Sequence, residues 1–158
     1  MKIMSAEEVR DFIEEWTWGT IIAVDGDKPY AIEVSYGSDG KHIYCGSRPD
    51  GKMAKCIKEN PNVIFKICDA DKYYPSWRAV SVFGKAERLT KREDIVYGMR
   101  TIAKRVIHTA KKTKRSVEDF EKIGEMLAAT PETSSALRIP IENFSGRMSG
   151  EKYNVLKK

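Results

Sequence analysis

The sequence has few of the residues that mark a disulfide-bonded, metal-binding or membrane-spanning protein. It contains three cysteines, an odd number without Cys-x-x-Cys spacing, which argues against both a disulfide framework and a zinc site. Only two histidines are present, and neither has a cysteine or carboxylate partner at the spacing of a metal site. The cysteine and histidine patterns thus lead us to expect no metal site. No run of about 18 apolar residues occurs, so we expect no membrane span.

Targeting and hydrolytic motifs are also missing. The first residues, Met-Lys-Ile-Met-Ser-Ala-Glu-Glu, are too acidic and too poor in apolar residues for a signal peptide. Unpaired cysteines favour a reducing compartment, so we expect a cytoplasmic protein. Neither a carboxylate pair nor a serine–histidine arrangement can be recognised. With 158 residues, of which 41% are hydrophobic, we expect one domain spanning residues 1–158.

Excess positive charge is concentrated in one segment of a chain whose net charge is only +5. Residues 100–115 carry seven lysines and arginines and no acid. Apolar residues within the segment keep helical spacing, which favours the solvated face of a helix over a nucleic-acid surface or an attractor of anionic ligands. Because no Gly-rich loop or interleaved aromatic residues accompany the charges, we expect no nucleic-acid partner.

The most informative stretch that is present is a strand, turn and helix between residues 44 and 63. An apolar strand ends at Cys45, and a short helix is predicted to begin near Gly51 and to stop before Pro61. The N-terminus of a helix exposes unpaired N–H groups and a partial positive charge. Three polar side chains surround it: Ser47, Arg48 and Lys52. Together these features predict a cradle for a phosphate group.

Strand-like segments with short turns dominate the rest of the chain. Their hydrophobic periodicity predicts six strands, at about residues 19–24, 30–36, 42–45, 62–68, 79–87 and 135–141. Helices are predicted at about 6–15 and 51–59 and in an insertion at about 91–130, and a polar tail at about 145–158. Short turns make the early strands antiparallel, and six such strands in a small domain usually close into a barrel.

The order of these motifs resembles the FMN-binding split-barrel superfamily of pyridoxamine 5′-phosphate oxidase, and within it the nitroimidazole-resistance (Nim-like) branch. Three blocks carry the resemblance, at residues 19–30, 43–63 and 80–89. With the late helices and the segment Leu137-Arg138-Ile139 they cover nearly the whole chain. The fold that the resemblance implies is mainly β (α+β), a six-stranded antiparallel split β-barrel with short peripheral helices.

The resemblance implies a homodimer with FMN across its interface. In such proteins the phosphate meets the basic turn and the lysine that here is Lys52, and one strand runs beside the flavin, largely through backbone groups. The residues expected to contact the cofactor are Tyr30, Ile32, Glu33, Val34, Ser35, Cys45, Gly46, Ser47, Gly51, Lys52 and Arg78. The implied function is that of an FMN-dependent oxidoreductase acting on a small molecule, with a nicotinamide as one option for the electron donor. No catalytic residue is assigned.

Departures from the family pattern limit which reaction is expected. Many Nim-like proteins have His where this chain has Cys45, and often Pro where it has Glu33. Pyridoxamine phosphate oxidases have Gln where this chain has Ala79, and their C-terminal Trp and Arg/His set has no match here. Pyridoxamine phosphate oxidation is therefore not expected. The alternatives are a non-catalytic flavin-binding or sensing protein and a split barrel that binds deazaflavin or haem.

Two features each allow two interpretations. Cys45 is either a small buried hydrophobe or a thiol that faces the ligand, its pKa lowered by the basic turn. The aromatic loop at residues 73–78, which ends in Arg78, either stacks on a flavin or substrate or packs under the dimer interface.

Overall fold

A computed structural model describes residues 1–73, 75–109, 116–130, 134 and 136–153 of the chain. The strands are β1 (Lys2–Ile3), β2 (Trp18–Asp25), β3 (Lys28–Ser38), β4 (His42–Gly46), β5 (Asn62–Ala70), β6 (Trp77–Lys85), β7 (Glu87–Arg88), β8 (Ala136–Pro140) and β9 (Asn143–Ser149). The helices are α1 (Ala6–Glu15), α2 (Lys52–Glu59), α3 (Arg92–Thr109) and α4 (Val117–Ala129), followed by a 3₁₀ turn at Glu151–Tyr153.

The strands form one antiparallel sheet in the order β1-β9-β6-β5-β2-β3-β4-β8-β7. Four strands separate β6 from β8 in this order, yet a Cβ built on Gly84 of β6 would lie 3.3 Å from the side chain of Ile139 of β8. This close approach shows that the sheet curls strongly. The expected mainly β antiparallel architecture is therefore confirmed at the level of a curled sheet. The order runs from β1 to β7 and leaves these two strands as edges.

The described residues form nine strands where the sequence predicts six. The additional strands are β1, β7 and β9, and β9 overlaps the first residues of the segment predicted as a polar tail. It pairs with both β1 and β6, and its buried face carries Gly146 and Met148. A Cβ at position 146 would lie 2.6 Å from the side chain of Val9, so glycine is needed there for α1 to pack against β9.

Local signals of the sequence set several boundaries. A capping box joins Ser5 and Glu8 at the start of α1, and a second one joins Ser116 and Asp119 at the start of α4. Gly26 has a φ of 65° in the two-residue turn between β2 and β3, a conformation that favours glycine. These predicted elements are confirmed.

Two apolar clusters stabilise the fold. The larger one fills the interior of the curled sheet and includes the buried faces of α1 and α2. The smaller one lies between α3, α4 and the strands β4 and β8, and consists of Tyr44, Leu89, Ile95, Ile102, Ala128 and Ala136. Burial of each large apolar side chain contributes about 1.5–3 kcal/mol. Among the described helices, none is long and apolar enough to cross a membrane.

Candidate functional site

A cavity of about 450 Å³ lies between the N-terminus of α2 and the first half of β3. Its volume falls within the range of small-molecule sites. Eight described residues line it: Tyr30, Ile32, Ser47, Arg48, Asp50, Gly51, Lys52 and Met53. Five of them, namely Tyr30, Ile32, Ser47, Gly51 and Lys52, are among the residues that the sequence predicts to contact a cofactor. We call this space the Lys52 cavity.

The N-terminus of α2 is open toward a ligand. Gly51 occupies the N-cap position without a side-chain hydrogen bond to the helix, and the first turn contains no acidic residue. A Cβ at Gly51 would lie 3.1 Å from the carbonyl oxygen of Arg48, which accepts a 3.0 Å hydrogen bond from the Gly51 N–H. Glycine thus keeps the turn tight. The N–H groups of the first helical turn and the positive end of the helix dipole remain available to an anion.

Ser47 supplies an unpaired polar atom in the wall of this cavity. Its Oγ is buried and has no hydrogen-bond partner among the described residues. An unsatisfied buried hydroxyl costs about 1–3 kcal/mol, and such groups are rare in folded proteins. A ligand oxygen in the Lys52 cavity would give this hydroxyl its missing acceptor.

Lys52 carries one of the two positive charges that line the cavity; the other, Arg48, is more exposed and lies beside Asp50. Its Nζ lies 2.6 Å from a carboxylate oxygen of Asp25 and 4.9 Å from the centroid of the Tyr30 ring. The hydrogen bond from Lys52 to Asp25 raises the pKa of Lys52, so its ammonium is charged at neutral pH. Both side chains are about half exposed, and such a solvent-screened ion pair can exchange Asp25 for a ligand anion.

Along one edge of β3 beside the cavity, no strand of the described residues pairs with it. Residues 28–35 pair with β2, whereas pairing with β4 is confined to residues 36–38. The N–H of Tyr36 donates to the Thr17 carbonyl on the β2 side. Backbone groups of successive residues point to opposite edges in an antiparallel strand. Ala31, Glu33 and Ser35 therefore direct their N–H and C=O groups to the unpaired edge, where a planar ligand can bind them.

Side-chain alternation along β3 divides the other predicted residues. Tyr30, Ile32 and Val34 face one side of the strand, and Val34 is buried in the larger apolar cluster. The side chains of Glu33 and Ser35 face the opposite side, where the hydroxyl of Thr20 donates a 2.7 Å hydrogen bond to Glu33. Glu33 and Ser35 can thus offer backbone groups, and not side chains, to a ligand in the cavity.

Cys45 and Gly46 end the strand that leads to the turn. Cys45 is fully buried in the larger apolar cluster, and burial raises the pKa of its thiol to about 12. These observations favour its interpretation as a buried hydrophobe over that of an activated, ligand-facing thiol. Its contact with a cofactor stays a prediction. Gly46 is exposed and follows it at the end of β4.

Arg78 belongs to a separate, buried network. Its guanidinium pairs with Glu15 at 2.9 Å and Asp69 at 3.4 Å, and its Cζ lies 4.0 Å from the ring centroid of Phe12 and 4.9 Å from that of Tyr153. These contacts join β6 to α1, to β5 and to the 3₁₀ turn. Arg78 is not among the described residues that line the Lys52 cavity.

Two further predictions concern loops and charges. Of the aromatic loop, Tyr73 is exposed and Trp77 half-buried, while residue 74 lies outside the described residues.

In the basic segment, Arg100 pairs with Glu121 and Arg105 with Glu14, as expected for a solvated helix face. Residues 110–115 lie outside the described residues. In the described part of the chain, no cluster of three or more His, Cys, Asp or Glu forms a metal site.

Sequence reasoning did not assign a role in the site to Asp25, the partner of Lys52. It lies 27 positions before Lys52, at the end of β2. Asp50, which lines the cavity and lies 3.7 Å from Arg48, was not assigned either. No local pattern marks either carboxylate as part of a site.

The chain is similar to proteins known from their sequences and from their structures. Residues 5–148 match the sequence model of a family described as pyridoxamine 5′-phosphate oxidase. An uncharacterized protein of Rhizobium meliloti (strain 1021) is 26% identical over 89 residues, which cover 56% of this chain and 58% of that protein. The match to this curated relative thus spans little more than half of its length.

Two solved structures show the same fold over most of their length. An FAD-binding protein of Mesorhizobium loti has a TM-score of 0.68 and 22% identity, with 94% of this chain and 98% of that chain covered. A candidate 5-nitroimidazole antibiotic resistance protein of Bacteroides thetaiotaomicron has a TM-score of 0.67 and 15% identity, with 93% and 86% covered. At these identities the similarity establishes the fold.

Proposed function

This chain belongs to the pyridoxamine 5′-phosphate oxidase family, and from that premise we propose that it is an FMN-binding oxidoreductase acting on a small molecule. The observation that carries the proposal is the Lys52 cavity. The cavity combines the exchangeable ammonium of Lys52, the unpaired buried hydroxyl of Ser47 and the open N-terminus of α2. These groups adjoin the unpaired edge of β3. This donor set suits a phosphate joined to a flat, hydrogen-bonding ring.

Each part of the cavity has a role in this proposal. Lys52, the hydroxyl of Ser47 and the first N–H groups of α2 would hold the phosphate. The backbone groups of Ala31, Glu33 and Ser35 would bind the polar edge of the flavin, while Tyr30 and Ile32 provide apolar contacts. A bound flavin supplies hydride or electron transfer, and the protein contributes binding, orientation and exclusion of water.

A second copy of the chain is part of the proposal. Strand register places Ile22, Ile64 and Phe83 side by side on the outer face of the sheet, where Phe83 is 39% exposed. Trp18 lies on the same β2 face and is 55% exposed. Thr20, paired with Glu33 and Lys66, separates Trp18 from Ile22, so the apolar patch that we expect at the interface consists of Ile22, Ile64 and Phe83. We expect light scattering to give the mass of a dimer, and Phe83→Glu to give a monomer.

Flavin binding without catalysis is the second candidate. No described residue that lines the cavity is a histidine, and no catalytic acid or base can be assigned. Reduction of the bound flavin by NADH or NADPH separates the two candidates: rapid bleaching of the flavin band supports the enzyme, and its absence supports the binding protein. A haem or deazaflavin ligand would be recognised by its own absorption spectrum.

The visible spectrum of the purified protein gives the first test. We expect maxima near about 370 and 450 nm, either as purified or after addition of FMN, because these bands belong to the flavin ring. A colourless protein that takes up neither FMN nor FAD would overturn the proposal. Titration with both cofactors also decides between FMN and the FAD named for the Mesorhizobium loti protein.

Lys52→Ala tests the phosphate contact itself. Loss of a charge-assisted hydrogen bond should weaken FMN binding by roughly tenfold to a hundredfold and leave riboflavin binding unchanged. Lys41→Ala, which removes the same charge from an exposed turn, is the matched control and should change neither affinity. Equal losses for FMN and riboflavin would contradict the assignment of Lys52 to the phosphate.

A further inference from the structure

A second cavity of about 410 Å³ lies on the other side of the turn that carries Ser47, between α2, β7 and β8. Its polar lining comes from Lys55 and Lys58 of α2, Arg88 of β7, and the hydroxyls of Ser47 and Ser134. Ala54, Ile57, Ala86 and Leu137 form its apolar part. We call it the Lys55 cavity. It shares Ser47 with the Lys52 cavity, so the two spaces adjoin.

The electrostatics of the Lys55 cavity favour an anion. Every ionisable side chain among its described lining residues is a cation. Lys55 and Lys58 stand three positions apart on one helix, where like charges repel. Neither lysine forms an ion pair with a described residue, whereas Lys2, Lys52 and Lys152 each do. A bound anion would relieve this repulsion.

Its polar and apolar parts indicate what kind of anion fits. Ser134 is 1% exposed in the wall of the cavity, and its hydroxyl, which accepts a hydrogen bond from the Ala136 N–H, can still donate its own proton. The hydroxyl of Ser134 and the ammonium groups of Lys55 and Lys58 can bind the oxygens of a phosphate, while the apolar residues suit a carbon skeleton or ring. A carboxylate would use fewer of these donors than a phosphate does.

We propose that the Lys55 cavity is a second phosphate-binding site, which takes a phosphorylated group in addition to the FMN phosphate. This proposal deepens the proposed function and rests on it for the neighbouring flavin. The phosphate has two possible sources: the distal phosphate of a dinucleotide flavin that crosses the Ser47 turn, or a separate phosphorylated small molecule beside the bound flavin.

The test uses the double variant Lys55→Ala/Lys58→Ala with inorganic pyrophosphate as the probe. Calorimetric titration of the wild-type protein, with and without saturating FMN, should show pyrophosphate binding that weakens at least about fivefold in the variant. FMN affinity should not change. The matched control Lys41→Ala/Lys122→Ala removes the same charge from exposed positions elsewhere and should leave pyrophosphate binding intact.

Comparison of FAD with FMN identifies the source of the phosphate. If FAD binds at least about fivefold more tightly than FMN, displaces pyrophosphate, and loses this preference in the double variant, the source is the dinucleotide. If FAD and FMN bind equally and pyrophosphate binds the FMN-loaded protein, the source is a separate molecule. Unchanged pyrophosphate affinity together with an unchanged FAD preference overturns the proposal. A protein that binds no flavin refutes the proposed function, while pyrophosphate titration still tests this cavity.

Discussion

Lys52 and Arg78 are both cations that lie over an aromatic ring and beside a carboxylate, yet their surroundings differ. The Lys52 side chain is 53% exposed and pairs with one half-exposed carboxylate, that of Asp25. The Arg78 side chain is 9% exposed and pairs with two carboxylates, those of Glu15 and Asp69. In these two places the same pair of chemical groups, a cation and a carboxylate, lies at a surface cavity in one case and in the interior in the other.

This difference is why we propose Lys52 as a ligand-binding cation and Arg78 as a structural one. Removing a charge from water costs several kcal/mol, so a buried arginine must keep its partners permanently. An exposed ion pair contributes little to stability and is easily exchanged. The hydroxyl of Ser47 lies in the Lys52 cavity and has no hydrogen-bond partner among the described residues. Arg78 faces two rings and two carboxylates, and of its buried nitrogens only Nε lacks a hydrogen-bond partner among the described residues.

The largest effect is expected for Arg78→Met. The substitution keeps an apolar stem but leaves Asp69, whose side chain is 13% exposed, without its buried cation. We expect the free energy of unfolding to fall by about 3 kcal/mol, measured by urea titration. Lys52→Met serves as the control and should leave the urea midpoint unchanged. The comparison breaks if Arg78→Met leaves stability intact and weakens FMN binding instead.

Tyr153→Phe should have an intermediate effect on the same network. The hydroxyl of Tyr153 donates a 2.9 Å hydrogen bond to the carboxylate of Asp69. Because the bond is partly buried and its acceptor is charged, its loss should lower the free energy of unfolding by about 1–2 kcal/mol. Tyr73→Phe, at a side chain that is 83% exposed, is the matched control. Equal urea midpoints for the two variants would show that the network does not depend on this bond.

Local patterns made part of this comparison predictable. The turn, the helix start and Lys52 are contiguous in sequence, so capping and strand signals placed them together. The resemblance added Tyr30 and Ile32, and side-chain alternation along β3 explains why these two reach the cavity while Glu33 and Ser35 do not. Local periodicity thus predicts both elements and the face that each side chain occupies.

The sequence did not predict the contacts of Arg78 or the strand β9, because both depend on residues that are far apart in the chain. Arg78 meets Glu15, a residue 63 positions away, and no local signal indicates that contact. The sequence of β9 resembles a polar segment because a glycine, Gly146, occupies its buried face where a strand usually has an apolar side chain. The close approach of α1 leaves no room for a side chain at this position. Tertiary packing decides such positions, and periodicity within one segment does not report it.

The smallest effect, and the sharpest test of the exchangeable pair, is expected for Asp25→Asn. An asparagine can still accept a hydrogen bond from Lys52, but it no longer competes as an anion for the ammonium. FMN affinity should therefore rise about two- to fivefold, and riboflavin affinity should stay the same. The gain should shrink at high salt, because salt screens exposed charges.

Asp27→Asn, which removes the same charge from the same turn, is the matched control. If it tightens FMN binding equally, the effect is one of general charge. If Asp25→Asn weakens FMN binding, Asp25 positions Lys52 for the phosphate, and the pair resembles the fixed partners of Arg78 more closely than its exposure indicates.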